Sequence, residues 1–243
     1  MSPLKSYRRG YAVALLVGLG ESQAVLWKVF SKIVKLEKIV SLAGSRKDVH
    51  ALYNFHEAIV NEMRPILSEG VKSVIVASAP RTNYAEEFLE HVRDHHAWLA
   101  HGAERAAFAK MTGAATTVHE MTMLTRTPEF RKKIGETTMQ ETDNLLELLE
   151  ESLNAAGEEP LVLYSLEDIE DKILRRWVPG QPKPEYLILA DTFLSGSRQK
   201  NRLQRLMQLA ANRKVKSRIV RADSAAGKRL LQLGGMVCIL KFE

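Results

Sequence analysis

The sequence predicts an α/β protein built from two α/β domains. Three observations support this fold class. Apolar, β-rich runs crowd the segment before residue 43, strand and helix patterns alternate after residue 160, and between them a helical pattern ends in Gly and Pro at Ala155–Pro160. We therefore expect a first domain over residues 1–156 and a second over residues 157–243.

The first domain is predicted to open with an antiparallel meander. Its strands are the runs Tyr11–Gly18, Gln23–Phe30 and Leu36–Leu42, with a Gly-rich hairpin turn between the first two. Apolar residues at helical or continuous spacing then predict four further elements. These are a helix over Lys47–Ser68, a strand over Ser73–Ser78, a helix from about Asn83, capped by that side chain, and a helix over Glu129–Leu153.

The second domain is predicted from a regular alternation of helices and strands. The helices are Leu166–Trp177, Lys200–Ala211 and Ser224–Leu233, and the strands are Tyr186–Ala190, Val215–Val220 and Met236–Phe242. Such alternation is typical of a largely parallel sheet covered by helices.

The positive charge of the chain falls in the second domain. Residues 1–156 hold 19 Lys and Arg against 19 Asp and Glu, whereas residues 157–243 hold 16 against 10, which accounts for the whole net charge of +6. A polyanion or an acidic protein surface is therefore expected to meet the second domain.

Composition also bears on location and redox chemistry. The longest apolar run near the amino terminus, Ala12–Val17, is too short to cross a bilayer, and no signal-peptide pattern is present, so a cytoplasmic protein without a membrane partner is expected. Cys238 is the only cysteine and lies in an apolar run. It therefore forms no intrachain disulfide and is predicted to be a small buried hydrophobe.

No motif predicts a catalytic residue, a cofactor or a metal. Gly18 and Gly20 begin like a dinucleotide-binding loop, but a strand follows them instead of a helix. His91 and His95 have the i, i+4 spacing of zinc ligands on one helix face. No cysteine or glutamate accompanies them as in His-Glu-x-x-His, so an amphipathic helix surface is favoured over a metal site.

Three segments of the second domain resemble one known family. Tyr164–Ile169 is similar to a Tyr-Gly-Leu-x-x-Val helix start, and Tyr186–Phe193 to a Leu-Leu-Ile-Ser-Asp-x-Leu-Phe strand. Gly227–Phe242 resembles the ending Ser-Gly-x-x-Leu-x-x-Leu-Gly-Gly-x-x-Ala-Ile-Leu-Arg-Phe. Together they resemble Pelota, the ribosome-rescue relative of the archaeal and eukaryotic class-1 peptide release factors. The resemblance implies a ribonuclease-H-like central domain and a carboxy-terminal α/β/α sandwich.

The resemblance extends more faintly upstream. Val74–Pro80 with Phe88 is similar to the family's central-domain strand and Ser-Pro-Gly-Phe turn, and Thr112–Glu120 to its Ser-Gly-x…Leu-x-Glu segment. No segment matches the family's amino-terminal Sm-like domain, so direct codon sensing is not expected. In the family, the Pro-containing turn and the third domain dock on a translational GTPase or the ribosome-recycling ATPase. Here that turn corresponds to Pro80 and Arg81.

The loop after the meander distinguishes the branches of this family. A peptide release factor carries Gly-Gly-Gln there, and its glutamine positions water against the peptidyl ester. This chain has AGSRK at Ala43–Lys47, which points to the non-hydrolytic, Pelota-like branch. Ser45, Arg46 and Lys47 are candidates for binding RNA phosphates. A solvated turn ahead of a helix is the alternative interpretation.

A basic helix is the second candidate contact with RNA or the ribosome. Its cationic residues are Arg198, Lys200, Arg202 and Arg205. So many like charges repel one another unless they are solvated or paired with a partner of opposite charge. The helix is therefore expected to contact rRNA or an acidic protein, or to face water. The Gly-x-Asn-Glu helix start of kink-turn-binding proteins is replaced by Ser165–Asp168, whose acidic side chains repel phosphate. Kink-turn recognition is therefore not expected.

The function predicted from the sequence is that of a ribosome-associated, RNA-binding translation factor. It would act as a Pelota-like adaptor in ribosome rescue, recycling or mRNA surveillance, without peptide release. Two alternatives stay open. One is a peptidyl-tRNA hydrolase or RNA-cleaving enzyme with a non-standard loop, and the other is a ribosome-silencing factor of dormant cells.

Overall fold

A computed structural model describes residues 10–101, 105–155 and 161–242, and it contains two compact units. One comprises residues up to 67 and 71–141, and the other comprises residues 68–70 and those from 142 onward. Residues 156–160, where the sequence placed the domain boundary, lie outside the described part. The boundary between residues 156 and 157 therefore stays a prediction.

The first unit contains five strands, which are β1 (Ala12–Leu19), β2 (Gln23–Phe30), β3 (Val34–Ser41), β4 (Ser73–Ser78) and β5 (Ala107–Thr112). Its helices are α1 (Val49–Ser68), α2 (Tyr84–His95), α3 (Ala97–Ala100), α4 (Val118–Thr125) and the first half of α5 (Pro128–Asn154). The sheet order is β3-β2-β1-β4-β5. The first three strands are antiparallel, which confirms the predicted meander, while β4 and β5 continue the sheet in parallel to β1.

Both faces of this sheet are covered, which explains why β1 is apolar throughout. Alternate residues of a strand point to opposite faces. Leu15 and Val17 pack with residues of α1 and α2, such as Ile59 and Phe88. Leu16 belongs to the opposite cluster, which contains residues of α4 and the start of α5. A strand buried on both faces loses the polar alternation of a one-sided strand.

The turn between β1 and β2 is a hairpin, as predicted, and not a cofactor loop. Gly20 N donates to Gln23 O at 2.8 Å. Gly18 also brings a loop close to the sheet, because a Cβ atom there would lie 2.1 Å from the Ala115 carbonyl oxygen. The same oxygen accepts a hydrogen bond from Trp27 Nε1 at 2.7 Å. Only glycine fits at position 18.

The second unit contains four strands, β6 (Val162–Leu163), β7 (Lys183–Ala190), β8 (Lys216–Val220) and β9 (Met236–Lys241). Its helices are α6 (Leu166–Leu174), α7 (Asp191–Gly196), α8 (Lys200–Asn212), α9 (Ala225–Gln232) and the second half of α5. Leu145 and Leu149 of α5 and Leu230 of α9 form a core with β7 and β9, while α6 contacts β7 and α8 contacts β8. The predicted α/β/α class is confirmed.

The prediction of a largely parallel sheet is wrong for this unit. The strand order is β6-β9-β7-β8, and only β7 and β8 are parallel, because β9 runs antiparallel to both of its neighbours. The short helix α9 ends beside the carboxyl end of β7, where Ala190 N donates to Gly235 O. Gly234 and Gly235 have φ of 98° and 90°, so the chain reverses there and β9 starts at that end.

Cys238 lies fully buried in β9. Desolvation by burial raises the pKa of its thiol to about 12. The thiolate form is therefore scarce at neutral pH, which confirms the prediction of a small buried hydrophobe. None of the helices in the described part of the chain is long and apolar enough to cross a membrane.

Candidate functional site

The loop that joins β3 to α1 contains the predicted phosphate-binding residues. Ser45 and Lys47 are exposed, and Lys47 N donates to Ser45 Oγ at 3.2 Å. Asp48 then starts the helix, since its Oδ1 accepts from the backbone N–H groups of His50 and Ala51 at 2.9 and 3.2 Å. A side-chain cap of this kind fixes where the helix begins. The loop therefore holds Ser45 and Lys47 at the surface just before α1.

Arg46, in contrast, points into the first unit. Its guanidinium donates to Gly20 O at 2.6 Å and Glu21 O at 3.0 Å, and lies 3.4 Å from a carboxylate oxygen of Glu87. The guanidinium carbon also lies 3.7 Å from the ring centre of Tyr84, and only 11% of the side chain is exposed. A phosphate contact by Arg46 would have to break these bonds. Lys47 and Ser45 are thus the better placed members of the predicted set.

Pro80 and Arg81 form an exposed turn directly after β4. Arg81 has a φ of 64°, and the turn closes through Thr82, whose Oγ1 donates to Ala79 O at 2.7 Å. Asn83 precedes α2, but its side chain makes no capping hydrogen bond, so the predicted side-chain cap is wrong. A small depression beside the turn is lined by Arg81, Thr82, Asn83, Lys110 and Thr112, among others.

The basic helix is confirmed as α8, although Arg198 precedes its first residue, Lys200. The four cations divide into two groups. Arg198, Lys200 and Arg205 are exposed. Arg202 instead pairs with Glu170 of α6 through three N–O distances of 2.6 to 3.0 Å and also contacts Gln199. Bidentate pairing of this kind fixes a guanidinium in place. The exposed cations of the predicted set are therefore Arg198, Lys200 and Arg205.

The start of α6 is acidic, as the sequence indicated. Ser165 Oγ accepts from Asp168 N at 3.0 Å and so caps the helix, while Glu167 and Asp168 occupy its first turn. Carboxylates at a helix amino terminus take the place that an anionic ligand would occupy. The absence of kink-turn recognition stays a prediction.

Histidines gather where α1 meets the end of α2, but the cluster is not the pair His91 and His95 whose spacing the sequence analysis considered. His91 Nε2 lies 3.0 Å and His96 Nε2 lies 2.8 Å from the same oxygen of Glu57 on α1. His95 is exposed and contacts His91 only through its ring, with the ring centres 4.8 Å apart. His96 lies five residues after His91, in the C-cap position with non-helical backbone angles. Helical spacing alone therefore could not identify it.

Glu57 was missed because it lies far from the histidines in sequence. The only available signal was its place on the first predicted helix, Lys47–Ser68, among apolar residues that face the core. Sequence periodicity gives the face of each helix but not which residues of two helices meet.

Comparison with known proteins supports the interpretation of the fold. No protein-family model matches the chain. The protein pelota homolog of Pyrococcus furiosus is 24% identical over 189 residues, which cover 78% of this chain and 48% of the relative. The chain therefore spans about half the length of this curated relative. The match confirms that the chain is similar in sequence to Pelota.

A solved structure that contains archaeal Pelota has the same fold. A chain in a model of ribosome-bound archaeal Pelota and ABCE1 matches 94% of this chain and 61% of its own length, with a TM-score of 0.52 and 16% identity. Dom34 of S. cerevisiae, a translation termination-like factor interacting with Hbs1, matches 94% of this chain and 63% of its own, with a TM-score of 0.49 and 18% identity. The predicted resemblance to the Pelota and release-factor family is confirmed.

Proposed function

We propose that this chain is a ribosome-associated translation factor that acts as a Pelota-like adaptor in ribosome rescue, recycling or mRNA surveillance. It binds ribosomal RNA or tRNA through basic surfaces and does not release the nascent peptide. The single observation that carries the proposal is its sequence similarity to a Pelota homologue across 78% of the chain. The loop before α1 supports the non-hydrolytic branch.

Two features of that loop argue against peptide release. The loop has no glutamine, and the residue that follows Gly44 and Ser45 is Arg46, whose guanidinium is held by the carbonyls of Gly20 and Glu21. A group that orients water must reach the reacting ester with a free donor or acceptor. Arg46 has only donors, and those are directed at the protein itself. The loop is therefore suited to docking rather than hydrolysis.

Binding to the ribosome is assigned to two basic surfaces. The first is Ser45 with Lys47, next to the amino terminus of α1, and the second is Arg198, Lys200 and Arg205 near and on α8. Their exposure leaves their donors available to phosphate oxygens, which supply affinity without sequence recognition. Archaeal Pelota is described as ribosome-bound together with ABCE1, and the family resemblance implies a GTPase or ATPase partner. We therefore assign such a partner to the turn at Pro80 and Arg81.

The proposal is tested with purified protein and ribosomes that carry a stalled peptidyl-tRNA. We expect the protein to pellet with these ribosomes through a sucrose cushion while the amount of released peptide stays at the spontaneous level. Lys47→Glu should weaken binding by about tenfold at moderate salt, because a phosphate contact becomes a repulsion. Lys132→Glu, which reverses an exposed charge on α5, is the matched control.

Two results would refute the proposal. If the wild-type protein does not pellet with the ribosomes, it does not bind them. Release of peptide by the wild type, lost in Arg46→Ala, would establish the hydrolase alternative instead.

A further inference from the structure

Three metal-binding side chains converge at one point of the first unit. Glu57 comes from α1, His91 from α2 and His96 from the C-cap of α2. Their ligand atoms lie within 4.8 Å of one another, and both Nε2 atoms lie within 3.0 Å of Glu57 Oε1. In the described part of the chain this is the one cluster of three or more such residues found close enough to share an ion.

The surroundings hold the two imidazoles in place. His91 and His96 are buried, and the ring of His91 contacts those of Tyr53 and His56 with centroid distances of 5.0 and 5.1 Å. His56 is also buried, and its Nε2 has no hydrogen-bond partner among the described residues. A tightly packed shell keeps ligand side chains in fixed rotamers, as a metal site requires.

The distances are close to those of a zinc site. Zn²⁺ binds imidazole nitrogen and carboxylate oxygen at about 2.0 to 2.2 Å, so two ligand atoms of a tetrahedral site lie about 3.3 Å apart. The Nε2–Oε1 distances of 3.0 and 2.8 Å are shorter than this by less than 1 Å, and all three ligand atoms lie within 4.8 Å of one another. Small rotations of three side chains would therefore admit the ion.

The donor set also limits the chemistry of the occupant. Two imidazoles and one carboxylate form a known zinc ligand set, which leaves a fourth position for water. Imidazole favours the later first-row divalent ions over Mg²⁺ or Ca²⁺. The side chain of Glu57 is 29% exposed while both histidines are buried, so solvent can reach the cluster from the side of Glu57.

We propose that Glu57, His91 and His96 form a mononuclear site for Zn²⁺ or a similar late first-row divalent cation. The ion would join α1 to the carboxyl end of α2 and keep one coordination position open. This inference does not depend on the proposed role at the ribosome. It departs from the sequence-based prediction, which favoured an amphipathic helix surface over a metal site at His91 and His95, and it leaves out His95, which is exposed.

The test uses the full chain with a tag that contains no histidine, stripped with a chelator and then titrated with Zn²⁺ alone. We expect one equivalent to bind with a dissociation constant below about 1 µM, and the melting temperature to rise by about 5 °C at saturation. Co²⁺ in place of Zn²⁺ should give the visible absorption of a four-coordinate site without thiolate bands.

Paired variants separate the proposed ligands from their neighbours. Glu57→Gln and His96→Asn should weaken zinc binding at least about thirtyfold, because each removes one of three ligands. His95→Asn and Glu90→Gln change neighbouring exposed residues and should leave the affinity within about threefold. Circular dichroism of the stripped proteins shows whether each variant is folded. Glu57→Gln preserves the size of a partly exposed side chain and is therefore expected to fold. It keeps the test valid if His96→Asn does not fold.

Two outcomes would overturn the inference. One is the absence of stoichiometric zinc binding by the wild type. The other is a loss of affinity in His95→Asn equal to that in Glu57→Gln, which would assign the ion to a different set of residues.

Discussion

Arg46 is the residue at which the structure changes the sequence-based interpretation most. The sequence placed it on a basic loop, as a candidate for phosphate contacts. In the structure its guanidinium binds two carbonyl oxygens of the β1–β2 turn and stacks on Tyr84. The sequence could not show this, because these partners and the nearby carboxylate of Glu87 lie 25 to 41 residues away. Arg46 therefore links the loop to the sheet and to α2.

Replacing Arg46 with alanine should lower the free energy of unfolding by about 2 kcal/mol, because two charge-assisted hydrogen bonds and a stacking contact are lost. Arg46→Lys should recover little of this, since an ammonium cannot reproduce the planar fork. Urea unfolding followed by circular dichroism measures the change. Lys47→Ala, at the exposed neighbour, is the control and should change the value by less than about 0.5 kcal/mol. Equal effects at both positions would contradict the assigned role.

Among the secondary-structure elements, α9 packs very closely on the preceding loop at Gly227. A Cβ atom on Gly227 would lie 1.9 Å from the carbonyl oxygen of Arg221, which is backbone and cannot rotate away. Ser224 caps the same helix, its Oγ accepting from Gly227 N at 3.0 Å. The glycine at the start of the Pelota-like segment Gly227–Phe242 is thus explained by the close packing of α9 on residues 221 and 222.

Gly227→Ala should therefore destabilise the protein by about 3 kcal/mol, because the helix must move away from the loop. The matched change is Gly135→Ala in α5, where a Cβ atom meets nothing within 4 Å. That change should stabilise by about 0.5 to 1 kcal/mol through helix propensity. Thermal unfolding compares the two variants. Destabilisation by Gly135→Ala, or tolerance of Gly227→Ala, would show that the packing of these helices differs from this description.

The exposed cations of α8 are expected to contribute to ribosome binding. The double variant Lys200→Glu and Arg205→Glu should weaken binding to purified ribosomes by about tenfold or more, and reduce its salt dependence, since fewer phosphates are neutralised. Lys228→Glu, an exposed charge on α9 of the same unit, should change binding by less than about threefold. Binding is measured by pelleting across a salt series. Equal losses in the two proteins would show that net charge, rather than this helix, attracts the ribosome.

Most elements could be predicted from local pattern, and the exceptions have physical causes. β5 was missed because its six residues include the exposed Lys110 and lack a continuous apolar run. The direction of β9 was predicted wrongly, because alternation of helix and strand does not determine at which end of the sheet a short helix stops. The meander could be predicted because each of its strands pairs with the strand that follows it in the chain.

For the molecule as a whole, the resemblance to Pelota rests on motifs that shape the fold. Tyr186 and Gly227, which belong to those motifs, are both buried and pack within the second unit. Candidate sites were harder to predict, because they depend on which side chains meet across elements. Glu57 and His96 illustrate this, as they join His91 only once α1 and α2 have packed.

The measurement that tests the central claim most directly is the distribution of the native protein in sucrose gradients of cell lysate, from growing and from stressed cells. We expect the protein to sediment with ribosomal particles in at least one condition and to return to the top of the gradient at high salt, because phosphate contacts supply its affinity. A protein found only in the ribosome-free fractions under both conditions would contradict it.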